Sequence, residues 1–109
     1  MEPVALNIPS AAEIVFNNLY RTNDPTLLTA DLLGVALPGE MFIDVSWHPE
    51  RDASGEYTVT VYHKLWDHIE KEFETTFIDQ VLLAVEAYSR EYCNPGLASA
   101  QAGQRSAKR

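Results

Sequence analysis

Cysteine is almost absent from this chain: Cys93 stands alone among 109 residues. No internal disulfide can form, which argues against a small secreted scaffold held by bridges. Basic residues are scarce too. Eight Lys and Arg face sixteen Asp and Glu, for a formal net charge of −8. Residues 1–98 hold five of the basic side chains and all sixteen acidic ones, a balance of −11. The last eleven residues hold Arg105, Lys108 and Arg109 and no acid, a balance of +3. A body of that sign repels nucleic-acid phosphates and anionic lipid, so neither nucleic acid nor a membrane is expected as a partner. It favours solubility and a basic partner. No apolar run is long enough to cross a bilayer, and the N-terminus lacks the basic start and apolar stretch of a signal peptide. A cytoplasmic protein is the expectation.

Motifs that carry chemistry are also missing. There is no G-x-G-x-x-G or P-loop to hold phosphates, no H-E-x-x-H, no paired C-x-x-C and no G-x-S-x-G elbow. No cofactor is expected. Cys93 follows the last predicted helix, where the negative end of the helix dipole disfavours a thiolate, so it reads as inert.

What is present is alternation. Met41, Ile43, Val45 and Trp47 point one way, and Phe42, Asp44, Ser46 and His48 the other. Tyr57, Val59, Val61, His63 and Leu65 take one face, and Thr58, Thr60, Tyr62, Lys64 and Trp66 the other. Strand side chains alternate with period two, so these stretches predict two strands with one apolar and one mixed face. The Pro, Asp, Ser and Gly between Pro49 and Gly55 predict a loop. With 46% hydrophobic residues a real core is affordable for one domain.

The flanks read as helical. Ser10-Ala11-Ala12-Glu13 has the form of a capping box, followed by Ile14, Val15, Leu19 and Tyr20, which predicts a helix over about 11–22. Asp24-Pro25 predicts a second, short helix through Leu27, Leu28 and Leu32, with Gly34 as its stop and Pro38-Gly39 as a turn. Residues 67–76 have two readings. Ile69, Phe73, Phe77, Val81, Val85, Tyr88 and Tyr92 fit one long helix, whereas the alternation of Glu70, Glu72 and Glu74 with Ile69, Lys71 and Phe73 fits a strand at 69–74. The β-branched Thr75-Thr76, with Asp79 behind it as part of a cap, favours the strand and a helix at about 77–92 that ends at Asn94-Pro95-Gly96. The expected core is Ile43, Val45, Val59, Val61, Val81, Leu82 and Val85.

The predicted fold is therefore α+β: a small antiparallel sheet of two to three strands packed against N- and C-terminal helices, in the order ααβββα. Residues 1–96 form the domain, and 97–109 form a disordered basic tail with no apolar bulk. An αβββα order resembles double-stranded RNA-binding domains in element order alone. Those domains place a basic cluster at the start of the last helix, where this chain reads Glu72-Phe73-Glu74-Thr75-Thr76-Phe77-Ile78-Asp79. Charge therefore sets RNA binding aside. Small acidic secretion chaperones are similar in size and charge, a likeness that no motif carries.

Two functions compete. The first is a non-catalytic, acidic protein-binding module: an adaptor, inhibitor or chaperone-like protein. Its contact residues would be Phe42, Asp44, Tyr62 and Trp66 on the mixed face, extended by Glu70, Glu72 and Glu74. Its partner would be a basic or amphipathic protein, or a second copy of the chain. The N-terminal segment or the second helix covering those aromatics is the alternative. The second function is a small metal-dependent or His/Asp-based enzyme drawing on His48, His63, His68, Asp44 and Asp67. The strand phases put His48 and His63 on opposite faces, which argues against a shared ion, so no metal is expected.

Overall fold

The computed structural model describes residues 2–65 and 68–93. The first of the two predicted helices is a strand. Ala12 N donates to Pro9 O at 3.0 Å, so Ser10 opens a turn and not a capped helix. The β-branched and aromatic run that follows, Ile14-Val15-Phe16, suits an extended chain and forms β1 (Glu13–Asn17).

The second predicted helix stops after one turn. Asp24 does act as a cap, with Oδ1 accepting from Thr26 N at 3.0 Å, but the 3-10 turn spans only Pro25–Leu27. Competition for backbone groups ends it. Trp47 N donates to Thr29 O at 2.8 Å, Leu32 N to Val45 O at 3.0 Å, and Arg51 N to Leu28 O at 2.7 Å. The chain continues as β2 (Leu33–Leu37), with Gly34 inside the strand. Gly39, at φ +76°, turns it into β3 (Met41–His48). Then come β4 (Glu56–His63), β5 (His68–Thr75) and one helix, α1 (Ile78–Cys93). The ααβββα order and the two-to-three-stranded sheet are thus corrected. The sheet has five strands in the antiparallel order β1-β2-β3-β4-β5, and α1 is the single α-helix among the described residues.

The strand reading of 69–74 holds, as does the helix after it. Thr75 Oγ1 accepts from Phe77 N at 3.1 Å and pairs with the Gln80 side chain, so Thr75, not Thr76, closes the N-terminus of α1. Asp79 serves elsewhere, in an ion pair with Arg21 at 2.8 Å. The expected helix stop and residues 97–109 lie outside the described residues.

The helix covers one face of the sheet. Val81, Val85 and Ser89 of α1 are buried, as are Leu33, Val35, Ile43, Val45, Val59 and Val61 on the strands. Leu82, expected in the core, is only half-buried, because it sits on the flank of α1 beside the N-terminal segment. That segment packs Val4, Leu6 and Ile8 against the core and ties itself to α1 through Asn7 N to Glu86 Oε2 at 2.8 Å. The alternative that it covers the outer aromatics is therefore not the arrangement found.

Ile43 is inaccessible at the centre of this layer, whereas Leu83 of α1 is 66% exposed. Ile43→Ala should cost about 2–5 kcal/mol through lost transfer energy and a residual cavity. Leu83→Ala should stay within about 0.5 kcal/mol. Urea titration of both variants checks the assignment of faces, and equal losses would contradict it.

Candidate partner-binding face

The face of the sheet away from α1 is built from the alternate residues of the same strands. Phe42 pairs with Ala36 and Tyr62, Asp44 with Gly34 and Thr60, Ser46 with Thr58, and His48 with Glu56. Most of these positions keep solvent access; Gly34 and Ser46 are the buried exceptions. Phe42 and Tyr62 form a tilted pair with centroids 5.7 Å apart, and Lys64 Nζ lies 5.9 Å from the Phe42 ring centre.

Two residues that sequence reasoning missed complete the row. Phe16 on β1 pairs with Gly34, and its ring lies on that glycine. A Cβ at Gly34 would fall inside contact distance of the Phe16 ring and 2.8 Å from Phe42 Cζ. The glycine is a floor for two aromatic rings. Ile69 is the second. The β4–β5 register slips by one between Val61 and Tyr62, so Tyr62 faces Ile69 and not Glu70. Ile69 is 56% exposed there and extends the row Phe16, Phe42, Tyr62 toward the edge of the sheet. Strict alternation hid this, since a bulge reverses the phase of every residue beyond it.

The same slip breaks the expected acidic strip. Glu72 and Glu74 stand in register opposite Thr60 and Thr58, both exposed. Glu70 sits at the bulge, 3.2 Å from His68 Nε2. Asp44 is half-buried. Burial pushes its carboxyl above the ordinary value, the nearby Asp31 charge adds to the rise, and His48 opposes it. The Tyr92 phenol is pushed up to about 12 by burial, then by Glu91, Glu70 and Tyr88. Trp66 lies outside the described residues.

The histidines are spread along the sheet. His48 ends β3 opposite Glu56, while His63 faces Met41 and His68 at the far end. His63 Nδ1 accepts from Leu65 N at 3.2 Å. Among the described residues no three His, Cys, Asp or Glu side chains converge on a metal position, and Asp67 lies outside them. Burial pushes the Cys93 thiol up, which disfavours the thiolate. Comparison with protein-family models, curated proteins and solved structures finds no match for this chain.

Two outcomes test this geometry. Gly34→Ala should cost about 1–3 kcal/mol, since both rings must move off the strand. Placing it in a Phe16→Ala background should remove much of that cost, and a double-mutant cycle with no coupling would contradict the packing. The second outcome concerns Asp44. A raised native pKa means that the folded protein holds the proton more tightly than the unfolded chain does. That contribution is present below the ordinary carboxylate range and is lost as pH climbs through the raised value. At neutral pH the ionised Asp44 therefore costs stability. Asp44→Asn should raise the melting midpoint at neutral pH, and the gain should shrink as pH falls through the carboxylate range. An equal gain at about pH 3, where the carboxyl is protonated in both states, would contradict the assignment.

Proposed function

We propose that this protein is a non-catalytic binding module that engages a protein partner through the outer face of its sheet. The observation that carries the reading is the half-exposed apolar row Phe16, Phe42, Tyr62 and Ile69, set among Asp44, Glu72 and Glu74 on the face that α1 leaves open. Aromatic side chains supply large contact area at low entropic cost, and flanking carboxylates steer a partner of opposite charge. The partner is a basic or amphipathic protein. A second copy fits less well, because two such faces would bring their carboxylates together. No described helix is long and apolar enough to cross a membrane. The module acts in the cytoplasm, where a lone thiol stays reduced.

Tyr62→Ser tests the reading. It removes the centre of the row and should cost about 1 kcal/mol or less through the lost pair with Phe42. Crosslinked partners captured from the native host, quantified against wild type, should fall about tenfold, the loss of about 1.4 kcal/mol that a modest anchor carries. An unchanged partner set with an unchanged melt would overturn the proposal.

A further inference from the structure

The edge strand β5 meets two unlike surfaces. Among the described residues it pairs with β4 alone, so its other side presents unpaired backbone N–H and C=O groups. Beyond the bulge, Lys71–Thr75 continue in regular register with β4. Glu72 and Glu74 project from this stretch onto the outer face. Lys71, Phe73 and Thr75 project onto the face that carries α1, where Lys71 Nζ lies 3.4 Å from Glu91 Oε2. On that side a groove of about 410 Å³ runs between the strand and the helix, lined by Phe73, Gln80, Leu83, Ala84, Ala87 and Tyr88. Leu83 is 66% exposed on its wall. The opposite flank of α1 is taken by the N-terminal segment through Asn7 and Glu86. The groove therefore opens toward the free edge.

We propose that this edge accepts an extended peptide whose side chains alternate between basic and apolar, added as a sixth strand along Lys71–Thr75. An added strand must send alternate side chains to the two faces of the sheet. One set meets Glu72 and Glu74, which calls for Lys or Arg. The other set meets Phe73, Leu83 and Ala87, which calls for apolar side chains. A second copy of β5 does not satisfy this pattern, since antiparallel self-pairing would bring the two acidic sets together. The inference deepens the binding-module reading by naming the partner's chemistry. It shares with that reading only Glu72 and Glu74.

The probe is the synthetic peptide (Arg-Val)4, matched in length to the eight residues of β5. Its controls are Arg4Val4, of equal composition without the alternation, and (Arg-Val)4 N-methylated at alternate residues, made in both phases. Binding to the full chain is followed by calorimetry and by amide hydrogen exchange. We expect (Arg-Val)4 to bind and to protect amides within 71–75. The block peptide and one of the two N-methylated phases should bind about tenfold more weakly or worse, as lost strand pairing requires. Glu72→Gln with Glu74→Gln, and separately Leu83→Ser, should each weaken (Arg-Val)4 several-fold, whereas Tyr62→Ser should leave it unchanged. Equal binding of alternating and block peptides would reduce the effect to general attraction and overturn the proposal. So would full affinity in both N-methylated phases, or no binding at all. Loss of peptide binding in Tyr62→Ser would place the peptide on the open face, overturning the edge proposal while supporting the face. Unchanged partner capture in Tyr62→Ser together with peptide protection at 71–75 would do the reverse.

Discussion

One contact organises the molecule: the inner face of the sheet pressed against α1, which lies over β4 and reaches β5 and β2 on either side. Ile43, Val45, Val59 and Val61 belong to one core cluster with Val81 and Val85, and all six are inaccessible to water. A sheet is stable only when its apolar face is covered, and here a single 16-residue helix, helped by the N-terminal segment, does the covering. The helix needs Thr75 to close its first turn, so the last strand and the helix are joined by one shared residue.

Among the described residues, that one-sided architecture leaves the other face partly open to solvent. It is the reason the outer residues matter. Phe16 and Phe42 could not lie flat on the sheet if position 34 carried a Cβ. The glycine thus trades strand propensity for aromatic packing across three strands. The bulge in β5 moves Ile69 into the same row and takes Glu70 out of the acidic one. Two local irregularities, neither of them in the core, decide the composition of the exposed surface.

The edges are treated differently. β1 has five residues and a register shift between Ile14 and Phe16, a geometry poorly suited to accepting another strand. β5 has eight residues and a regular second half that carries glutamates on one face. Charge on an edge strand opposes pairing with its own kind, and the same charge selects a partner of opposite sign. An apolar groove alongside such an edge gives that selection a second requirement.

Periodicity determined β3, β4 and most of α1, because alternation over eight residues and a four-residue apolar spacing differ in structural meaning once a face is buried. For β5 it fitted both a strand and a longer helix, and the β-branched Thr75-Thr76 pair tipped the reading to the strand. Periodicity also determined six of the seven expected core residues, and the outward placing of Phe42, Asp44, Tyr62, Glu72 and Glu74. The first 40 residues were decided by tertiary structure. Ser10–Glu13 and Asp24-Pro25 are genuine local helix signals, and a cap contributes only about 1 kcal/mol. The hydrogen bonds from Leu32 N to Val45 O and from Trp47 N to Thr29 O, together with burial of Leu32, Leu33 and Val35, outweigh it. The row of Phe16, Gly34, Phe42, Tyr62 and Ile69 likewise arises only when five strands lie side by side. A cross-strand neighbour is set by register, and register is a property of the sheet, not of any one segment.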